Sequence, residues 1–230
     1  MKTIGLIGGM SWESSAEYYR IINEEVKHRL GALHSAKCIL YSVNFEEIEI
    51  YQRSSQWEQA ARILKGAAQS LESAGADFVI LCTNTMHKVA GEIQSSIGIP
   101  FLHIADITAQ KVLSVGIRAV GLLGTTYTME QDFYKSRLES KGIKVLVPGQ
   151  KDRVMVNSVI YNELCLGKVL DISRGEFKRV IRHLTEQGAK GIILGCTEIG
   201  LLVKQQDSPV PIFDTTLLHA KGAVDFALKS

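Results

Sequence analysis

Two short segments hold residue types that can move a proton. One is Thr83-Asn84-Thr85-Met86-His87, and the other is Gly195-Cys196-Thr197-Glu198. Each follows a short apolar run, residues 77–82 and residues 191–194. A continuous apolar run bounded by glycine reads as a buried parallel strand. Cys196 then sits at the carboxyl end of its strand, where open α/β sheets bind ligands. A helix is expected to start just after it, and a thiol near a helix N-terminus has a lowered pKa and more of the reactive thiolate.

The two segments are copies of one pattern. Residues 75–83 align without a gap on residues 188–196, so that Thr83 stands where Cys196 stands and Cys82 aligns with Gly195. Upstream, residues 3–9 match residues 119–125, and downstream residues 99–102 match residues 210–213. Three paired landmarks in one order predict two similar lobes. If the lobes face each other across a cleft, Thr83 and Cys196 address one substrate from opposite sides. Opposed groups suit a reaction that takes a proton from one face of a carbon and returns one to the other.

The elements that position these groups follow from apolar spacing. Strands are expected at residues 3–9, 38–43, 77–82, 99–104, 118–123, 144–147, 191–194 and 210–213. Helices are expected at about 14–30, capped by Ser14 or Ser15, and at 57–74, 86–96, 129–140, 153–165, 177–187 and 217–229, with a short one after Cys196. Residues 52–55 read as a polar patch, and residues 124–128 as a loop equivalent to Gly8-Gly9-Met10. Strands alternating with helices predict an α/β fold of two pseudo-symmetric lobes, each a parallel sheet flanked by helices, with the active site in the cleft between them. The expected division is residues 1–102 plus 214–230 for the first lobe and 103–213 for the second.

Composition narrows the class of function. Against 26 Lys and Arg stand 24 Asp and Glu, a net charge of +2 that gives no argument for nucleic acid or an anionic membrane surface. No apolar run reaches the ~18 residues of a membrane span. The N-terminus runs directly into a strand, so no signal peptide is expected. Four cysteines without regular spacing fit neither a disulfide framework nor a metal site, and a reducing cytoplasm is expected. The G-x-G-x-x-G spacing of a dinucleotide loop is absent around Gly5, Gly8 and Gly9.

Several side chains can serve the substrate. Asn84, Thr85 and Thr197 flank the two central residues, and Thr125, Thr126 and Thr128 lie in the neighbouring loop; all can donate to a carboxylate, and ordinary capping is the competing role. Arg53, with Gln52 beside it, is the best cation for a second carboxylate. Met10 joins the candidate substrate contacts from the Gly8-Gly9-Met10 loop. His87, one helical turn beyond Thr83, can relay a proton or serve as a cap. Cys82 is expected in the core, because neighbouring strand side chains point to opposite faces. Cys38 and Cys165 look structural, and Cys196 itself has the alternative of a small buried apolar residue.

The doubled lobe, the Gly-Gly-Met loop, the Thr-Asn-Thr-Met-His segment at 83–87 and the Gly-Cys-Thr-Glu segment at 195–198 resemble the aspartate/glutamate racemase family, over nearly the whole chain. The likeness is greatest to the enterobacterial broad-specificity or L-Asp/L-Glu-specific members. The resemblance implies a cofactor-independent, metal-free racemase acting on an amino acid, often dimeric, with a catalytic pair formed by one residue from each lobe and a terminal helix that returns to the first lobe. Here that pair is Cys196 and Thr83; the family usually has cysteine at the latter position. Aspartate racemases also tend to have a lysine near residue 165, which is cysteine here. A racemase of acidic amino acids is therefore expected, as a cytoplasmic homodimer. A related isomerase or decarboxylase using one cysteine, or a non-catalytic amino-acid-binding protein, are the alternatives.

Overall fold

A computed structural model of the protein describes residues 1–229. The chain forms two compact units, one of residues 1–104 and 219–230, the other of residues 105–218. In chain order the first contains β1 (Ile4–Gly8), α1 (Trp12–Leu30), β2 (Cys38–Ser42), α2 (Phe45–Arg53), α3 (Trp57–Ser73), β3 (Phe78–Leu81), a 3₁₀ turn at Thr85–Val89, α4 (Ala90–Gln94) and β4 (Phe101–Leu102). Then come α5 (Ile104–Ser114), β5 (Ala119–Gly124), α6 (Thr126–Glu130), α7 (Asp132–Glu139), β6 (Lys144–Leu146), α8 (Gln150–Asn162), a 3₁₀ turn at Leu164–Leu166, α9 (Asp171–Glu186), β7 (Ile192–Gly195), α10 (Ile199–Leu202), a 3₁₀ turn at Gln205–Asp207, β8 (Ile212–Asp214) and α11 (Thr215–Leu228).

Each unit holds a four-stranded parallel sheet, in the orders β2-β1-β3-β4 and β6-β5-β7-β8. The repeat seen in the sequence is also a repeat of register. Leu6 pairs with Ile80 and Ile80 with Leu102; Leu122 pairs with Ile193 and Ile193 with Phe213. These are the residues that the ungapped alignment equates. The result is the expected two-lobed α/β fold with helix-flanked parallel sheets.

Strand alternation divides the first core between the two faces of its sheet. Ile4, Leu6, Phe78, Ile80 and Cys82 pack with Tyr18 and Ile22 of α1 and with Ala220 and Val224 of α11. Ile7, Val79 and Leu81 pack with Leu64 and Leu71 of α3. Both faces are covered, which is why these strands are apolar throughout rather than alternating. In the second unit Leu123, Ile192 and Leu194 pack against Val156 and Ile160 of α8 and Phe177, Val180 and Leu184 of α9.

Some expected boundaries move. The cap of α1 is Ser11 rather than Ser14 or Ser15: its side chain accepts from Ser14 N at 3.2 Å and the helix starts at Trp12. Ser15 instead accepts from Gly9 N at 2.7 Å, and the Ser14 hydroxyl donates to Cys82 O at 3.3 Å, tying α1 to the loops after β1 and β3. The polar patch at 52–55 is the end of a helix, α2, and the stretch 99–104 divides into the two-residue β4 and the start of α5. Residues 124–128 are largely the short helix α6, capped by Thr125. The units divide at 104/105 and 218/219 rather than at 102/103 and 213/214. Ile104 N donates to His87 Nε2 in the first unit, while Thr215 Oγ1 donates to Leu194 O in the second.

Candidate active site

Cys196 follows the last paired residue of β7 and is buried, 8% exposed. Its backbone approach depends on Gly195. A methyl group there would meet Leu122 Cδ1 at 2.9 Å, Leu123 O at 3.0 Å and Thr128 Cγ2 at 3.2 Å. Glycine thus lets β7 end hard against β5 and α6. Thr128 is fully buried, and its hydroxyl lies 3.2 Å from that of Thr125. Its methyl group packs beside Gly195, next to Cys196. Thr126 N donates to Asn157 Oδ1 at 2.9 Å, which anchors the start of α6 to α8.

The thiol of Cys196 donates to Glu198 Oε2 at 3.0 Å, and the Thr197 hydroxyl donates to the same oxygen at 2.7 Å. Glu198 is only 4% exposed. This corrects the expectation of a low thiol pKa. Burial, and then the negative charge of Glu198, push the Cys196 thiol well above its ordinary value. The helix that follows, α10, has only four residues and cannot offset this. Cys196 is therefore a thiol at neutral pH, already hydrogen-bonded to a carboxylate that can take its proton.

The equivalent segment of the first unit is held differently. Cys82 N donates to Ile7 O and Thr83 N to Leu81 O, both at 2.9 Å. The Cys82 side chain is fully buried in the core beside Leu6 and Ile80, and burial pushes its thiol far up. It lies on the face expected from alternation. Thr83 is next, 8% exposed, with Asn84 and Thr85 buried after it. Thr83 O accepts from His87 Nδ1 at 2.7 Å, and Ile104 N donates to His87 Nε2 at 3.2 Å. Both ring nitrogens are thus held by the backbone, which corrects the relay role considered for His87.

The remaining candidates separate. Gln52 is buried and donates to Met86 Sδ at 3.0 Å, and Met10 and Met86 belong to one core cluster. Arg53 lies on the surface of α2 with its side chain 70% exposed, 3.7 Å from Glu49. Sequence reasoning noted Glu198 only as a neighbour of Cys196; an acid two residues beyond a cysteine was the signal for its role as hydrogen-bond acceptor. It missed His103 and His219 entirely, since neither sits in a motif. Their rings pack against His87 with centroids 4.4 and 5.9 Å away. Among the described residues, no group of three or more His, Cys, Asp or Glu side chains is arranged to hold a metal ion.

The chain is similar to known proteins over nearly all of its length. The model of the Asp/Glu/hydantoin racemase family matches residues 7–223. The chain is 24% identical to the broad specificity amino-acid racemase RacX of Bacillus subtilis (strain 168), over 96% of each chain. A candidate Asp/Glu racemase from Yersinia pestis has a crystal structure similar to it, with 57% identity, a TM-score of 0.94 and full coverage of both chains. An aspartate racemase homologue from Pyrococcus horikoshii OT3 is 36% identical with a TM-score of 0.87, again over all of both chains. With a match that spans nearly all of its length, the chain belongs to the Asp/Glu/hydantoin racemase family.

Proposed function

We propose that this racemase acts on acidic amino acids, L-Asp and L-Glu, and uses Cys196 and Thr83 as its acid–base pair without a cofactor. The observation that carries the reading is the buried thiol–carboxylate contact of Cys196 and Glu198. Glu198 takes the thiol proton, and the thiolate takes the α-proton from the L face. The Thr83 hydroxyl gives a proton to the opposite face of the carbanion. Solvent then reprotonates Thr83 and removes the proton left on Glu198, so the enzyme returns to its starting state. The carbanion is stabilised by hydrogen bonds to the α-carboxylate, from Asn84, Thr85, Thr125, Thr126 and Thr197. Arg53, on the surface of α2, is the cation for the side-chain carboxylate, and Gln52 and Met10 back that end of the site from the core.

The equivalence of Thr83 and Cys196 in two units of one register supports the pairing. RacX, a relative in the same family, is named for broad specificity, so neutral amino acids belong in the test. The reading also takes the enzyme as a cytoplasmic homodimer. Its four cysteines form no disulfide among the described residues, which suits a reducing compartment, and the molecular mass in solution tests the dimer. No helix among the described residues is long and apolar enough to cross a membrane. The deciding experiment is α-proton exchange of common L-amino acids in deuterated water, followed by NMR and chiral analysis. Exchange with formation of the D-enantiomer is expected for aspartate and glutamate. Absence of exchange with every amino acid would overturn the reading, and a preference for neutral substrates would overturn the specificity.

A further inference from the structure

The geometry assigns His87 as the positioning residue of Thr83, through a single imidazole tautomer locked between two backbone groups. The assignment rests on Thr83 serving one face of the substrate. A backbone N–H can only donate, so Ile104 N requires Nε2 of His87 to be a bare acceptor. The proton of the neutral ring then lies on Nδ1. There it faces Thr83 O, which can only accept, at 2.7 Å. Neither bond leaves a choice of roles.

The ring plane is fixed as well. His103 meets it edge-on at 4.4 Å between centroids, His219 at 5.9 Å, and Phe101 is tilted against it at 5.6 Å. His87 is 2% exposed. Its backbone N–H also donates to Asn84 O at 3.1 Å, so the turn after Thr83 is closed from the main chain and the side chain together. Thr83 follows β3 without a helix of its own to orient it, since the following turn is a 3₁₀ segment. The carbonyl contact from Nδ1 fixes the peptide plane after Thr83, and with it the direction of the Thr83 side chain. The Thr83 hydroxyl takes no part in the bond, so it stays available to the substrate.

Two substitutions separate the two bonds. In His87→Asn the amide N–H replaces the Nδ1 donor to Thr83 O but gives nothing to Ile104 N. In His87→Gln the amide oxygen replaces the Nε2 acceptor but leaves Thr83 O unbonded. The readout is the ratio of L-substrate α-proton exchange, which Cys196 and Glu198 perform without Thr83, to full racemisation, which needs Thr83. For His87→Gln, racemisation should fall roughly tenfold to a hundredfold, because misplacing a reacting group by about 1 Å has that effect. KM and L-exchange should change little, so the ratio rises by a similar factor. For His87→Asn the ratio should stay near that of the wild type. Equal losses in the two variants, or an unchanged ratio in His87→Gln, would make His87 a packing residue and overturn the assignment. Imidazole ¹⁵N NMR of the wild-type protein tests the lock without activity or a variant that must fold. A proton on Nδ1 supports it, and a proton on Nε2 or on both nitrogens overturns it. If the wild type exchanges no amino acid at all, the racemase reading falls while the NMR result still decides the tautomer.

Discussion

At the scale of single residues, the main lesson is that Cys196 is a hard thiol to ionise. A nucleophilic or basic cysteine is commonly identified by a lowered pKa, yet here burial and the Glu198 charge both act the other way. The two effects of Glu198 can be separated. Glu198→Gln removes the charge that raises the thiol pKa, so that pKa should fall, as read from the pH dependence of alkylation. It also removes the proposed proton acceptor, so turnover near neutral pH should fall by about 10²-fold or more. A variant with a lower thiol pKa and unchanged turnover would show that Glu198 does not take the proton. Cys196→Ser should lose activity further while keeping the fold, because a hydroxyl is a much poorer base than a thiolate; turnover within a few-fold of the wild type would remove Cys196 from the mechanism. The equivalence of the Cys196 and Thr83 positions was legible in the sequence, because the repeat equates them and the strands before them share one register. The thiol–carboxylate contact was not, since a spacing of two residues does not fix whether side chains meet.

At the scale of elements, apolar runs and glycines gave the strands and most helices, because both sheet faces are buried and the strands are apolar throughout. The helices α2 and α5 were hidden for different reasons. In α2 only Ile48 and Gln52 are buried, too few to show a stripe, and Gln52 looked like a surface residue. The start of α5 follows β4 after a single residue, so the two merged into one apparent strand. Close packing beyond the Cys196 loop was equally invisible. Asp214 Oδ1 accepts from Thr216 N at 2.9 Å and Leu217 N at 3.2 Å, capping α11, while the other oxygen lies over Gly200 of α10. A side chain at 200 would collide with that oxygen. Gly200→Ala should therefore displace the carboxylate and cost about 1–2 kcal/mol, the usual scale of a lost cap. Denaturant unfolding measures it; a stability equal to the wild type would show that Asp214 moves without losing its bonds.

At the scale of the whole molecule, stability should depend on pH through His219. Its ring is fully buried, with Nε2 on Leu102 O and Nδ1 on the Tyr18 hydroxyl, each at 2.9 Å. Burial lowers its pKa to about 4. The ring is neutral in the folded protein and charges in the unfolded chain near its ordinary value of ~6.5. Its contribution is thus complete above that value and is lost as pH falls from about 6.5 to about 4, by up to roughly 3 kcal/mol. Unfolding of wild type and His219→Gln should converge across this window; parallel curves would show that His219 does not carry the loss. His219 also begins the part of α11 that belongs to the first unit, whose core takes in Ala220, Ala223, Val224 and Ala227. The order of synthesis follows from this. The second unit is one continuous stretch, whereas the first needs the end of the chain to close one face of its sheet. On the ribosome, the N-terminal unit must therefore wait with Tyr18, Phe78 and Ile80 unsealed until after the second has emerged, so the half made first is the half completed last. A chain stopped after Leu218 should keep slow amide exchange in β5 and β7 and lose it in β1 and β3.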